Sequence, residues 1–346
     1  MKAIISPYFE AQGPLQMLHR GHFVKHYDVE HRGQQIYLGL IEAECSIEVA
    51  SLAEIGESNL YESILSIHDA KYIHYLQSAW TNWSKMPNSS TEILPNISPN
   101  RHSNRFNEHP VALAGWYIGD AAAPIGENTW RNALGSVSAA IEAASRLKSG
   151  EFSVYALCRP SGHHACQDMA MGMCFLNNVA IAAQVLRQQF RRVAILDIDM
   201  HHGNGTQQIF DRRDDVLTVS IHGDPSNFYP FYSGFEPETG SEQGEGFNVN
   251  LPLPAGTNEI SYLEALDTAG NKILEFGAEA LIVATGFDTF KDDPLGCFEL
   301  DSCSYYAIGK MIRSLKLPTL FVQEGGYFVP ALRENVRQMV VGFESI

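Results

Sequence analysis

The sequence predicts an α/β fold in which a mostly parallel sheet is flanked by helices on both faces. Short aliphatic runs that are typical of buried strands alternate with helical runs, which is the pattern of βαβ units. Polar clusters follow the strand-like runs at one end, as they do in open parallel sheets that bind ligands. The strand-like runs are 153–158, 193–198, 216–221, 279–285 and 317–322, and the helical runs are about 177–189, 259–275, 302–315 and 330–341.

The remaining elements are less regular. Residues 1–6 indicate a first strand, and Leu60–Trp83 contains an amphipathic helix. Tyr8–Gly39 shows little periodicity and carries four irregularly spaced histidines, so we expect a surface loop rather than a metal cluster. Residues 84–110 are rich in Ser, Asn and Pro and predict a long connection, of the kind that serves as a lid or a subunit contact. Trp130–Lys148 is an Ala-rich helix.

Composition limits the class of protein. The 346 residues are 45% hydrophobic and 18% charged and show no linker or repeat, so we expect a single domain over residues 1–346. The net charge of −16 argues against nonspecific nucleic-acid binding and suits a cationic substrate. Six cysteines without a C-x-x-C pair predict reduced thiols. Neither a signal peptide nor an apolar run near the ~20 residues of a membrane span is visible, so we expect a cytoplasmic protein without membrane contact.

The stretch Val193–Gly205 carries the strongest functional signal. An aliphatic strand ends there, and two carboxylates, two imidazoles and two glycines follow it closely. Side chains two positions apart on an extended chain point the same way, so Asp199 and His201 project together. A carboxylate oxygen and an imidazole nitrogen directed at one point form two-thirds of an open catalytic zinc site. The alternative, a polar turn that caps the next helix, does not account for two adjacent histidines.

Other strand ends also carry reactive side chains. The tandem pair His163 and His164, the loop that begins at His222, Asp288 and Tyr327 each lie just beyond a different strand-like run. Because the carboxyl ends of parallel strands meet at one edge of a sheet, we expect these side chains to form one pocket.

The residue types in this pocket predict a metal-dependent hydrolase. Asp199, His201 and Asp288 offer two carboxylate oxygens and one nitrogen, a set whose charge neutralises a divalent cation. Zn²⁺ is the first choice, and Fe²⁺ or Co²⁺ is compatible. Such a metal activates water and polarises a carbonyl, the tandem histidines move protons, and Tyr327 hydrogen-bonds the oxyanion. Taken alone, Asp288 also fits a turn residue, and Tyr327 also fits a packed loop aromatic.

These motifs resemble those of the histone deacetylase and acetylpolyamine amidohydrolase superfamily. The resemblance runs from the first strand to about Gly342 and implies the arginase–deacetylase fold, with a central eight-stranded parallel sheet flanked by helices. The motifs are Arg-Pro-Ser-Gly-His163-His164, Asp197-Ile-Asp199-Met-His201-His202-Gly-Asn-Gly, Gly-Phe-Asp288 and Glu-Gly-Gly-Tyr327.

The resemblance implies a role for each motif residue. The implied Zn²⁺ ligands are Asp199, His201 and Asp288. The implied catalytic residues are His163 and His164, as general base and acid, and Tyr327, as oxyanion donor. The implied holders of a structural K⁺, together with main-chain carbonyls, are Asp197, which also orients His163, and Ser220. The implied channel residues are Gly172, whose carbonyl meets the substrate, and Met173 and Tyr229, which form the walls.

Two positions depart from the pattern of the family. Some relatives carry Asp where this chain has Asn204, the implied partner of His164. Because a carboxylate partner favours imidazolium, we expect His164 to stay neutral and to serve as the base. Relatives commonly place an aromatic residue at the position of Met173, and the flexible Met loosens one channel wall and argues against narrow substrate selectivity.

The resemblance also bears on the choice of reaction. The arginase and agmatinase branch of the fold needs two Mn²⁺ ions, and Gly203 and Phe290 stand where that branch has the additional carboxylates. Guanidine hydrolysis is therefore disfavoured. The Cys-Arg-Pro-x-Gly-His-His opening, the His-His-Gly-Asn-Gly-Thr-Gln segment and the 84–110 insertion favour hydrolysis of N-acetylated polyamines such as acetylputrescine, acetylcadaverine or acetylspermidine. In that branch the insertion contributes to a homodimer that narrows the active-site mouth.

Substrate recognition leaves alternatives open. Glu10 and Glu108 are candidate partners for a substrate ammonium group, and each is also explained as an ordinary surface carboxylate. The enzymatic alternative is deacetylation of acetyl-lysine in proteins or deacylation of another small acylated amine. A binding module without catalysis is the remaining alternative, and the presence of the complete set of ligands, histidines and tyrosine argues against it.

Overall fold

The computed structural model describes residues 1–345. The strands are β1 (Lys2–Ile5), β2 (Gln16–His19), β3 (His22–Lys25), β4 (Ser46–Val49), β5 (Ser153–Leu157), β6 (Val193–Asp197), β7 (Val216–Gly223), β8 (Asn248–Leu253), β9 (Ala280–Thr285) and β10 (Thr319–Gln323). The helices are α1 (Glu30–Glu42), α2 (Leu52–Ile55), α3 (Glu57–Leu65), α4 (Ala70–Trp83), α5 (Pro110–Tyr117), α6 (Thr129–Lys148), α7 (Asn178–Arg187), α8 (Asn204–Phe210), α9 (Glu259–Phe276), α10 (Ser302–Ser314) and α11 (Val329–Glu344).

Eight strands form one sheet in the order β4-β1-β5-β10-β9-β6-β7-β8, and every neighbouring pair is parallel. Strands β2 and β3 form a separate antiparallel hairpin. The predicted parallel α/β fold is confirmed, and the predicted strand ends agree with the structure to within two residues. Strands β4 and β8, at the two edges, were not visible as aliphatic runs because polar residues occupy alternate positions in them.

Hydrophobic cores cover both faces of the sheet. Strands β5, β6 and β9 are buried along their whole length, which explains why their sequences are nearly continuous aliphatic runs. Successive side chains of β1 alternate between the two cores, because Ile4 packs into one and Ala3 and Ile5 pack into the other. Helices α4, α6 and α7 cover the first face, and α1, α9, α10 and α11 cover the second.

The expectation of a surface loop over Tyr8–Gly39 is wrong. This segment contains the β2–β3 hairpin and helix α1. The hairpin strands are short and mostly exposed, so they leave little alternation in the sequence. Helix α1 was not visible in the sequence because it contains Gly33 and Gly39, which are unfavourable within a helix. Both glycines are needed for packing: a Cβ at Gly33 would lie 2.3 Å from the carbonyl oxygen of Phe9, and a Cβ at Gly39 would lie 2.5 Å from the carbonyl oxygen of Arg333.

The predicted helix within Leu60–Trp83 is divided between α3 and α4. The break lies where Asp69 accepts a hydrogen bond from the backbone of Lys71 and caps the start of α4. No helix within residues 1–345 has the length and apolar character needed to cross a membrane.

A buried ion network joins the amino-terminal segment to the loop after β5. The Oδ1 atom of Asp28 accepts hydrogen bonds from Nη1 of Arg32 and from Nε of Arg159, the latter at 2.8 Å. Arg159 also donates to the main-chain oxygens of Phe9 and Ala11. Burial raises the pKa of Asp28, but the two guanidinium groups outweigh burial and lower the pKa to about 2. Two cations therefore depend on one carboxylate in a site without water access.

Replacing Asp28 with Ala leaves both guanidinium groups buried without their carboxylate, so we expect the free energy of unfolding at neutral pH to fall by about 3–5 kcal/mol. Urea unfolding followed by circular dichroism measures this loss. Because the folded pKa of about 2 lies below the ordinary 3.8, the stabilisation is complete above pH 3.8 and is lost as the pH falls towards 2.

The control variant is Asp301→Ala, which removes only the cap at the start of α10. Its expected loss is about 1 kcal/mol. An equal loss in the two variants contradicts a special role for the buried network.

Candidate active site

Three potential metal ligands converge at the carboxyl edge of the sheet. Asp199 and His201 follow β6, and Asp288 follows β9, the neighbouring strand. All three are buried, and one ligand atom of each lies within 4.8 Å of the others. The Nδ1 atom of His201 is 3.1 Å from Oδ1 of Asp199 and 3.1 Å from Oδ2 of Asp288. The structure thus brings together the three residues that the sequence predicts as ligands.

Backbone amides hold the two carboxylates in place. Asp199 accepts hydrogen bonds from the backbone of Gly325 through Oδ2 (2.8 Å) and of His201 through Oδ1 (2.9 Å). Asp288 accepts one from the backbone of Met200 through Oδ1 (2.8 Å). These bonds fix the direction of each carboxyl group, which is a requirement for coordination at a defined point.

Glycines make room for this cluster. A Cβ at Gly286 would lie 2.2 Å from Oδ2 of Asp199, and a Cβ at Gly325 would lie 2.4 Å from Oδ2 of Asp288. Only glycine therefore fits beside the carboxylates at these two positions. The close approach of two loops and the oxygen–nitrogen–oxygen donor set fit a divalent cation of the zinc type.

The electrostatics of the cluster point to the same occupant. Burial and the nearby Asp199 carboxylate raise the pKa of Asp288 to about 7. Burial lowers the pKa of His201, but its hydrogen bonds to Asp199 and Asp288 outweigh this effect and raise the pKa to about 10. The two buried carboxylates therefore favour the protonated, positively charged form of the His201 imidazole that lies between them. A divalent cation supplies the same compensation when it displaces that proton.

The tandem histidines have different partners. The Nδ1 atom of His163 is 2.9 Å from Oδ2 of Asp197, and Nδ1 of His164 is 2.8 Å from Oδ1 of Asn204. Because an amide oxygen only accepts hydrogen bonds, Nδ1 of His164 carries a proton and its Nε2 keeps a free lone pair. The amide orientation is supported by Asn204 Nδ2, which lies 3.2 Å from Sδ of Met171.

The two imidazoles also differ in their pKa. Burial lowers the pKa of His163, but Asp197, Asp199 and Glu324 outweigh burial and raise it well above its ordinary value. Burial and the positive charge of His163 lower the pKa of His164 well below its ordinary value. At neutral pH the pair therefore comprises one imidazolium and one neutral imidazole, an acid and a base side by side with ring centroids 4.0 Å apart.

Tyr327 lies on the loop after β10. Its backbone N–H and that of Phe328 donate to Oδ2 of Asp293 at 2.6 and 2.9 Å. The preceding Gly326 has a φ of +110°, and a Cβ there would lie 2.8 Å from Cβ of Phe287. Burial raises the pKa of the Tyr327 phenol well above its ordinary value, so the hydroxyl remains a hydrogen-bond donor.

Glu324 connects the loop of Tyr327 to the loop of the histidine pair. Its buried side chain accepts hydrogen bonds through Oε2 from the backbone of Gly162 (2.7 Å) and of His163 (3.1 Å). Arg32 donates to the carbonyl oxygen of Glu324 at 2.9 Å, and its guanidinium carbon lies 4.7 Å from the ring centroid of Tyr327. The two catalytic loops are therefore tied to each other and to helix α1.

A cavity of about 260 Å³ leads to these side chains. The predicted channel residues Gly172, Met173 and Tyr229 all line it, as do the predicted catalytic residues His164 and Tyr327. The backbone at Gly172 and Met173 is left-handed, with φ of +56° and +68°. Further lining residues are Asp120, which accepts a hydrogen bond from the Tyr229 hydroxyl at 2.6 Å, and Phe228, whose ring stacks on His201 at 5.3 Å.

Some predicted site residues lie elsewhere. Glu10 and Glu108 are exposed and do not line the cavity of this chain. Ser220 is the direct neighbour of Asp197 in the register of β6 and β7, and its hydroxyl is 2.7 Å from Nδ1 of His222. Phe290 stands where the arginase branch would have a carboxylate for a second metal. Its side chain is buried and stacks on the ring of Phe328.

Sequence reasoning missed four residues around the site. Arg32 and Asp120 make their contacts with segments far away in the chain, so no local pattern marked them. Asp293 stands in an Asp-Asp-Pro segment that looks like an ordinary turn. Glu324 was visible within the Glu-Gly-Gly-Tyr motif, but its bond to the histidine loop requires the pairing of β5 with β10.

Comparisons with known proteins agree with this geometry. The family described as Histone deacetylase domain matches residues 26–343. An acetylpolyamine amidohydrolase from Burkholderia pseudomallei is 43% identical over 290 residues, which cover 82% of this chain and 83% of that protein. An acetylpolyamine amidohydrolase from Mycoplana ramosa is 37% identical over 343 residues, which cover 99% of each.

One solved structure is similar to this protein over nearly the whole length of both chains. The crystal structure of an acetylpolyamine aminohydrolase from Burkholderia pseudomallei superposes with a TM-score of 0.94 at 38% identity, covering 100% of this chain and 99% of that one. The family match covers all the strand ends that carry the site, and the superposition extends over the whole chain. The chain belongs to the histone deacetylase family.

Proposed function

We propose that this protein hydrolyses the amide bond of N-acetylated polyamines, of the acetylputrescine, acetylcadaverine or acetylspermidine type, to the free amine and acetate. The observation that carries the proposal is the convergence of Asp199, His201 and Asp288 beside two histidines, one paired with a carboxylate and the other with an amide. The similarity to acetylpolyamine amidohydrolases over 82–99% of the chain supports the substrate class.

The metal in this proposal is Zn²⁺, with Fe²⁺ or Co²⁺ compatible with the same ligands. When bound, a divalent cation polarises the amide carbonyl and lowers the pKa of a water molecule. Its ligands are Asp199, His201 and Asp288, held by the backbone bonds and glycines described above. We also propose that Asp197 and Ser220, neighbours across β6 and β7, hold a structural K⁺ with nearby main-chain carbonyls.

The side chains then divide the proton transfers. Nε2 of neutral His164 takes a proton from the attacking water, and the Tyr327 hydroxyl donates a hydrogen bond to the oxygen that gains negative charge. The imidazolium of His163 gives a proton to the leaving nitrogen. Asp197, at 2.9 Å from Nδ1 of His163, orients that ring and stabilises its positive form. His164 gains one proton from the water and His163 loses one to the amine, so the total number of protons on the pair is unchanged. A proton then has to pass from His164 to His163 before the next turnover.

The assembly around this site is part of the proposal. We propose one domain, with the 84–110 insertion at a homodimer interface near the active-site mouth. The exposed Ile97 and Phe106 in the insertion, 64% and 47% accessible, support a partner surface. A cytoplasmic location is supported by the six cysteines, all of which are free thiols in residues 1–345. Glu10 and Glu108, which do not line the cavity of this chain, stay proposed partners of a substrate ammonium group.

A second candidate function is deacetylation of acetyl-lysine in proteins. The observation that favours it is the apolar rim of the cavity, where Leu18 and Phe231 are 40% and 51% exposed and accessible to a peptide. Turnover of acetyl-lysine peptides well above that of acetylated diamines and polyamines would select this alternative.

Removal of the metal tests the reaction class. Dialysis against a chelator should reduce hydrolysis of acetylputrescine to background, and added Zn²⁺ or Co²⁺ should restore it, because the metal supplies the Lewis acid that polarises the carbonyl and lowers the pKa of the water. In Asp288→Asn, which weakens one ligand, we expect less metal per chain by elemental mass spectrometry. The matched control Asp301→Asn keeps a helix cap and should bind metal as the wild type does. Full activity in stripped protein would falsify the proposed mechanism.

The pH profile tests the histidine assignment. Because the pKa of His164 is lowered, the acidic limb of the pH profile lies at low pH, where His164 gains a proton, and His164→Ala should reduce kcat by about 10²–10⁴. Asn204→Asp places a carboxylate beside His164 and raises its pKa, so the acidic limb of kcat/KM should move to higher pH.

The control for this substitution is Asn258→Asp, which exchanges one helix cap for another and should leave the acidic limb in place. If His163→Ala alone abolishes activity, while His164→Ala retains it, the assignment of His164 as the base is wrong.

The phenol of Tyr327 is tested by Tyr327→Phe. The variant keeps the ring against Tyr27 and Arg32 but loses the oxyanion donor, so kcat should fall by about 10²–10³ with little change in KM. Steady-state kinetics on acetylputrescine provide both constants. Tyr27→Phe removes a hydroxyl from the adjacent ring and serves as the control with near-normal kcat. An effect of Tyr327→Phe on KM alone would contradict the role in the transition state.

A further inference from the structure

The β2–β3 hairpin places a cation at the mouth of the cavity. Its two strands are joined by Arg20 and Gly21 alone. Arg20 is exposed and lines the cavity, as Met173 and Tyr229 do. The mouth of a channel that is proposed to admit a cationic substrate thus carries a guanidinium group.

The turn itself does not call for arginine. Arg20 and Gly21 have φ of +48° and +84°, so both central residues are left-handed. Hairpin turns of this kind favour Asn-Gly, because residues with a larger side chain are disfavoured at positive φ. Arginine at this position therefore costs stability relative to Asn, so the turn alone does not explain the choice of residue.

The hairpin is held firmly at the cavity. The backbone N–H of Leu18 donates to the carbonyl oxygen of Ala121 at 3.1 Å. The ring of His19 packs edge-on against Tyr27 at 6.3 Å, and Tyr27 packs in the same manner against Tyr327 at 6.3 Å. A continuous row of aromatic rings therefore joins the base of the turn to the catalytic phenol. Arg20 is kept near the path of the substrate.

The charge of Arg20 has no counter-ion within the described residues 1–345, since no carboxylate lies within ion-pair distance of it. Among the described residues, the one carboxylate that lines the cavity is Asp120, and burial raises its pKa. Asp120 is already engaged, because it accepts hydrogen bonds from the Tyr229 hydroxyl and from the backbone of Gly172 and Ala122. The uncommitted charge at the mouth is consequently positive.

We propose that Arg20 selects among acetylated amines by the charge at the far end of the chain, favouring a carboxylate and penalising a second ammonium group. This inference rests on the proposed hydrolysis of N-acetylated amines and refines its substrate class. The net charge of −16 draws cations towards the protein at long range, whereas Arg20 acts at contact distance. Acetamido acids then become substrates alongside acetylated diamines.

Three substrates with the same four-carbon chain test this proposal: acetylputrescine, N-butylacetamide and 4-acetamidobutanoate. In Arg20→Asn, the ratio of kcat/KM for the ammonium substrate to that for the neutral one should rise about twofold to fivefold, the range for exposed charges. The ratio for the carboxylate substrate to the neutral one should fall by a similar factor. Arg20→Glu should move both ratios further, and added salt should reduce the differences between variants.

The matched control is Arg191→Gln. It removes the same charge from an exposed position that precedes β6, at the opposite edge of the sheet, and should leave both ratios unchanged. Asn suits left-handed backbone better than Arg does, so Arg20→Asn should fold, and thermal unfolding verifies this.

The outcomes separate the two levels of inference. If the wild type hydrolyses none of the acetamides, the proposed function fails and this inference fails with it. If the wild type hydrolyses them but Arg20→Asn and Arg20→Glu leave both ratios unchanged, or shift them in the opposite direction, only the selectivity role is overturned. A shift of equal size in Arg191→Gln also overturns it, because net charge would then explain the effect.

Discussion

Two buried carboxylates close to each other are the constraint around which this protein is built. Asp199 and Asp288 repel one another in a medium that screens poorly, so a compensating positive charge is required between them. The surrounding structure serves that requirement: backbone amides turn toward the carboxylates, His201 stands between them, and glycines replace any side chain that would fill the space. A cation-binding centre follows from the electrostatics before any reaction is considered.

The chemistry of the histidine pair follows from the different surroundings of two neighbouring rings. Asp197 and the other nearby carboxylates raise the pKa of His163, whereas burial and the charge of His163 lower the pKa of His164, whose Nδ1 donates to the Asn204 amide oxygen. Glu324 holds the backbone of this pair and shares a loop with the phenol of Tyr327. The proposed base, acid and oxyanion donor are therefore supported by one set of polar contacts rather than by three independent ones.

The sequence predicted most of the sheet and the site because both depend on local patterns. A buried parallel strand is a continuous aliphatic run, and the two-residue spacing of Asp199 and His201 follows directly from an extended chain. The β2–β3 hairpin was not predictable, because its strands are short, exposed and weakly alternating. The role of Arg32 was hidden for another reason: its partners at the Tyr327 loop are almost three hundred positions away, and only the folded sheet brings them together.

The order of the strands determines when the sheet can be completed during synthesis of the chain. Strand β10 lies between β5 and β9 and is the only link between the group β4-β1-β5 and the group β9-β6-β7-β8. It is also the last strand along the described chain. During synthesis on the ribosome the two halves of the sheet therefore remain separate until this strand emerges and inserts. The contact of the Gly325 backbone with Asp199, and the position of Tyr327, depend on this last strand, so the complete site forms only after its insertion.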